Sequence, residues 1–233
     1  MKINRLRTFA AFALGSLASA MTAQSDSTPY RFPAADLMNL GVYYYPEAWP
    51  ASQWPRDLAN IRRLGLEFVH LGEFAWALME PTEDKFDFAW LDKNIELAAA
   101  QGLKVVLCTP TPTPPIWLTE KHPEILMVDA AGRRQAHGTR QHACWNAESY
   151  LARVAKIVNE LGRRYGSDPR VWGWQIDNEL THYGKEPCFC DKCQNEFQTW
   201  LEKKYHTIDA LNRDWGNSFW SQMYQRFDQI RLP

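Results

Sequence analysis

Four short apolar runs, at residues 40–45, 66–71, 104–109 and 171–176, are each closed by a polar, Gly- or Pro-bearing loop and followed by a helical pattern. This alternation limits the chain to a parallel α/β arrangement. Helices are expected over 54–64, with Leu58, Ile61 and Leu64 on one face, then over 88–100, 149–165, 196–205 and 215–227. The prolines at 110, 112, 114 and 115 hold the chain extended after the third run until Ile116-Trp117-Leu118. Tyr43 to Trp49 stand where a dinucleotide fold would carry its Gly-rich turn, which argues against that fold.

In a barrel of parallel strands a side chain leaves the packed interior only where a strand ends. Asp177-Asn178-Glu179 closes the fourth run at such a point, which makes Glu179 a candidate catalytic carboxylate. The same three residues also suit a turn and a helix cap.

The chain has 233 residues, 45% hydrophobic and 23% charged, enough for one sizeable core. Its formal net charge of -1 gives no reason to expect nucleic acid or an anionic membrane as a partner. Eleven Trp residues supply flat ring faces that suit a sugar-binding cleft or simply fill a large core. Lys2, Arg5 and Arg7, the apolar stretch 9–17 and Ala18-Ser19-Ala20 fit a secretory signal peptide over 1–20, followed by a leader over 21–37. The expectation is export, to a periplasm or the extracellular space. The apolar stretch is too short to span a bilayer comfortably as a helix.

Several motifs, in order along residues 40–233, resemble the N-terminal part of the catalytic barrel in glycoside hydrolase family 42, the bacterial β-galactosidases. They are Gly41-Val42-Tyr43-Tyr44-Tyr45-Pro46-Glu47-Ala48-Trp49-Pro50, Gly72-Glu73-Phe74-Ala75-Trp76, the stretch 109–117, Trp174-Gln175-Ile176-Asp177-Asn178-Glu179 and Phe219-Trp220-Ser221-Gln222. The resemblance implies a (β/α)8 TIM barrel, of which residues 38–233 hold about the first four units, usually assembled as a homotrimer. It also implies a retaining β-galactosidase that removes terminal β-D-galactosyl residues from a β-galactoside substrate. Such enzymes use one carboxyl group to protonate the leaving oxygen and a second to attack the anomeric carbon. By resemblance Glu179 is the acid/base, Asn178 meets the sugar 2-hydroxyl, and Arg140 contacts the innermost sugar. Arg140 also reads as an exposed residue of a basic loop with Arg133 and Arg134. Glu47 and Glu73 either shape the sugar site or serve as loop carboxylates.

Cys188-x-Cys190-x-x-Cys193 needs one further ligand to make a closed, structural four-thiolate zinc site. Cys108 and Cys144 compete for that position, and Cys108 lies in an apolar strand where a thiol packs as a small hydrophobe. The family resemblance assigns zinc to Cys144, Cys188, Cys190 and Cys193. Export makes a disulfide the competing expectation, although three thiols within six positions suit a metal better. His137, His142 and His182 lack the spacing of an open catalytic zinc motif.

The family's nucleophile is a Glu after the seventh strand, and four strand–helix units are read here. No residue of this chain receives that role, so the chain alone is expected to be inactive, as a fragment of a longer enzyme. The alternative is a non-catalytic, zinc-stapled sugar-binding or interaction module derived from the same fold.

Overall fold

A computed structural model of the chain describes residues 39–138, 140–180 and 187–233. The expected signal peptide, the leader and His182 lie outside the described residues. Among the described residues, β1 (Gly41–Tyr43), β2 (Phe68–Leu71), β3 (Lys104–Cys108) and β4 (Val171–Gln175) form one parallel sheet in the order β1-β2-β3-β4. Each strand pairs with the next in sequence, so the order never reverses as it would in a doubly wound sheet. This is the arrangement of one part of an α/β barrel.

The helices are α1 (Trp54–Arg63), α2 (Trp76–Met79), α3 (Ala89–Ala100), α4 (Ile116–Lys121), α5 (Glu148–Tyr165), α6 (Asp191–Tyr205) and α7 (Ile208–Trp215). Alternation along each strand divides the sheet into two faces. Val69, Leu71, Val105 and Leu107 are sealed in a core shared with Leu58 of α1, Leu91 and Ile95 of α3, and Ile157 and Leu161 of α5. The register places Tyr43, Phe68, His70, Val106, Cys108 and Gln175 on the opposite face. Polar groups gather at its C-terminal end, where the loops of the site begin.

Three helix expectations change, and the short helix α2 was not anticipated. Leu64 is 77% exposed, because α1 ends at Arg63 and the chain must turn away from the core through Gly65, whose φ is +85°. Helix α6 begins at Asp191, five residues before the expected start, with Cys190 as its N-cap. The stretch 215–227 does not form the expected helix: α7 ends at Trp215, capped by Gly216 in the left-handed region, and short turns follow. Helix α2 escapes a periodicity reading because it spans only four residues.

A buried ion pair joins this framework. Glu80 is fully buried and accepts from the Trp76 indole at 2.9 Å, from the Asp84 amide at 2.9 Å and from the Arg153 guanidinium. Arg153 reaches it from the middle of α5 and also binds Asp84 at 2.7 Å. Removing one partner of such a pair strands a charge away from water. Arg153→Met is therefore expected to cost about 3–5 kcal/mol of stability, read as a lower midpoint in chemical denaturation.

Candidate active site

The site is built from four loops at the C-terminal ends of the strands. After β2 the chain turns at Gly72, with φ +84°, where a Cβ would stand 2.7 Å from the Met79 methyl. A side chain is disfavoured there on both counts. The turn carries Glu73 inward, to 4% exposure, where Tyr45 from the β1 loop donates to one carboxylate oxygen and Gln175 to the other, at 2.9 Å. Burial first, then the bond to Glu73, raises the Tyr45 phenol above its ordinary range and keeps it a donor.

The β3 and β4 loops are joined through Asp177, also 4% exposed. Its amide donates to Thr109 Oγ1 at 2.7 Å, while its carboxylate accepts from the Thr111 hydroxyl and from the Asn178 amide, the latter at 2.8 Å. Tyr150 of α5 donates to the Thr111 carbonyl at 2.8 Å and braces this loop from behind. Asp177 and Glu179 both have positive φ, 56° and 46°. Such backbone costs of order 1–3 kcal/mol per residue and persists where neighbours over-determine it, most often at functional sites.

Glu179 emerges from that turn with its side chain 32% exposed. One of its carboxylate oxygens lies 2.7 Å from Arg140 Nη1 and 3.2 Å from Asn178 Nδ2. The expected trio of Glu179, Asn178 and Arg140 is thus brought together. Gln141 adds its own amide, which donates to the carbonyls of Asn178 and Glu179. Glu47 is separate from this cluster of contacts, and burial raises its carboxyl above the ordinary value. His137 packs edge-on against the buried His142 at 5.3 Å and meets the Thr119 hydroxyl at 3.1 Å.

Periodicity could not reveal Thr109, Thr111, Asp177, Gln141 or Gln175 as parts of this network. Gln175 carried a usable signal, as a lone polar side chain near the end of an apolar strand.

Cys144, Cys188, Cys190 and Cys193 meet beside the loops, with all sulfur atoms within 4.8 Å of one another. Cys144 Sγ lies 3.3 Å from Cys193 Sγ and 3.7 Å from Cys190 Sγ. A tetrahedral thiolate site with metal–sulfur bonds of about 2.3 Å has sulfur–sulfur edges of about 3.8 Å, so the four atoms suit a metal ion. The amides of Val128 and Asn146 and the Asn146 side chain donate to these sulfurs at 3.3–3.4 Å, as outer partners of bound thiolates do. The hydrogen bond from Cys144 pulls the Cys188 thiol below its ordinary value and raises Cys144 in turn. Cys108 stays apart, 1% exposed, its thiol pushed up to about 12 by burial. All five cysteines are free.

A family model described as β-galactosidase, that of glycoside hydrolase family 42, matches residues 43–233. The β-galactosidase of Thermus thermophilus is 48% identical over 194 residues, covering 83% of this chain and 30% of its own length. The β-galactosidase structure from Halorubrum lacusprofundi aligns with a TM-score of 0.81 at 47% identity, over 84% of this chain and 29% of that one. A β-galactosidase structure from Marinomonas ef1 aligns with a TM-score of 0.79 at 43% identity, over 84% and 30%. The chain therefore spans less than a third of the length of these relatives.

Cobalt(II) added to the chain is expected to produce thiolate-to-metal charge-transfer absorption. Cys193→Ser should weaken or abolish it and Cys108→Ser should leave it unchanged, as followed by ultraviolet–visible titration.

Proposed function

Because the chain belongs to glycoside hydrolase family 42, the β-galactosidase family, we propose that it supplies the acid/base side of a retaining site that removes terminal β-D-galactosyl residues. The observation that carries this reading is the convergence of Glu179, Asn178 and Arg140 at the mouth of the sheet. Glu179 protonates the departing glycosidic oxygen, then takes a proton from the water that releases the sugar. Asn178 presents an amide donor to the 2-hydroxyl, a contact that tightens as positive charge grows on the ring. Arg140 offers its guanidinium fork to sugar hydroxyls.

Retaining hydrolysis also needs a nucleophile about 5–5.5 Å from the acid/base, which the family resemblance assigns to a strand beyond the four described. Turnover by these 233 residues alone is therefore not expected. The retained Asn178–Glu179 pair and its buried support weigh against a non-catalytic module. Zinc is the metal proposed for the four thiols. Four protein ligands leave it no open position, so it would pin the loop after Glu179 without activating water. The basic, apolar and small-residue pattern of residues 1–20 supports export.

Joining residues 39–233 to the C-terminal remainder of the Halorubrum relative is expected to give hydrolysis of a chromogenic β-galactoside. Glu179→Gln should lower kcat by about 10²–10⁴-fold, the usual range for losing a proton-transfer group. An unaffected kcat would remove Glu179 from the chemistry. Turnover by the chain alone, abolished by Glu179→Gln, would point to a second carboxylate within it, with Glu47 and Glu73 the first to test.

A further inference from the structure

Gln175 ends β4 directly before the turn that carries Asn178 and Glu179. Its side-chain amide meets five groups, and their chemistry dictates which way round it sits. The Glu73 carboxylate can only accept, so the atom facing it at 2.9 Å must be Nε2. On the other side Tyr43 donates its hydroxyl to Gln175 Oε1 at 2.9 Å. His70 Nδ1 stands 3.2 Å from the same oxygen. Burial lowers the His70 pKa, which favours the neutral ring, and with the proton on Nδ1 it donates to that oxygen, the Cys108 sulfur standing 3.7 Å from the same nitrogen as a weaker acceptor.

With Oε1 held by two donors and one Nε2 hydrogen committed to Glu73, the second hydrogen points at the loop. It is shared between the Asp177 carbonyl at 3.1 Å and Asn178 Oδ1 at 3.4 Å. We propose that Gln175 is a positioning residue that fixes the orientation of the Asn178 amide, holding Oδ1 down toward the sheet so that Nδ2 faces Glu179 and the sugar.

The consequence for chemistry lies in what Asn178 would do without it. An amide can present either its oxygen or its nitrogen, and only the nitrogen donates. An ionised Glu179 also attracts Nδ2, but only at 3.2 Å and through the oxygen that Arg140 already holds at 2.7 Å. Once Glu179 carries the proton it must deliver, its hydroxyl is as well served by Asn178 Oδ1, and the preference weakens. Gln175 keeps the donor turned outward through that change. It acts through Asn178 and touches no reacting atom, so its value depends on the reading of Asn178 and Glu179 given above.

The test uses the full 233-residue chain, isotopically labelled, with nuclear Overhauser contacts from the two Asn178 Nδ2 protons as the readout. In the unsubstituted chain these protons are expected to contact the Glu179 side chain. Gln175→Glu sets two carboxylates against each other, so the denaturation midpoint should fall and the Asn178 amide should invert to donate toward position 175. Adding Glu73→Gln to Gln175→Glu restores one donor and one acceptor to the pair, and the midpoint should recover.

A merely structural role for Gln175 would let this double exchange restore the Asn178 contacts too. The positioning role requires that they stay inverted, because a carboxylate at position 175 cannot donate. Native contacts in the double variant would overturn the proposal, as would failure of the double variant to fold, which would make Gln175 a packing residue. Hydrolysis assays of Glu179→Gln report on the acid/base alone, so failure there and failure here are separable.

Discussion

The release of β4 from β3 is the constraint on which the rest of the site depends. The ladder continues one step past β3, with the Thr109 amide donating to the Gln175 carbonyl at 3.0 Å. At the next contact a side chain replaces the backbone acceptor, and Thr109 Oγ1 takes the Asp177 amide. That exchange lets the chain leave the extended conformation at once and enter the left-handed region at Asp177. Every polar group of Asp177 then has a partner, from Thr109, Thr111, Asn178 or Gln175. Hydrogen bonds to a charged group contribute about 1.5–3 kcal/mol each, enough to offset the backbone cost of the turn. A softer junction would leave Glu179 on a mobile loop.

The same junction is tied down from the side. The connection between β3 and α5 folds back on itself through bridges between Leu126 and Ala143 and between Val128 and Arg134. It is fastened twice to the segment after β4. Gln141 holds the carbonyls of Asn178 and Glu179. Three residues on, Cys144 joins the thiols of Cys188, Cys190 and Cys193, while Phe189 donates its amide to the Val128 carbonyl at 2.8 Å. A metal in that cluster would act at the far end of the loop that Gln141 holds at the near end.

Much of this was legible in the sequence, for identifiable reasons. The strands were readable because each is an apolar run between breakers, and their sequential order follows from helices standing between them. The thiol cluster was readable because spacing alone makes a metal motif, although the fourth ligand came from the family resemblance. Thr109 and Asp177 are 68 residues apart in sequence and 2.7 Å apart in space, and no local pattern carries that information. Helix α6 was read short because its first turn, Asp191 to Gln194, has no apolar periodicity. The stretch 215–227 looked helical by composition, yet Trp220 and Ser221 have positive φ, which no periodic argument anticipates.

The Arg140–Glu179 pair lies at the outer edge of this arrangement, with a guanidinium nitrogen 2.7 Å from a carboxylate oxygen. Both side chains are partly open to water, at 46% and 32% exposure, so the pair is worth only about 0–1 kcal/mol. An interaction that weak yields readily to better-placed partners. The pair can therefore open without disturbing the buried network of Asp177, Gln175 and Glu73 beneath it, which holds the turn in place.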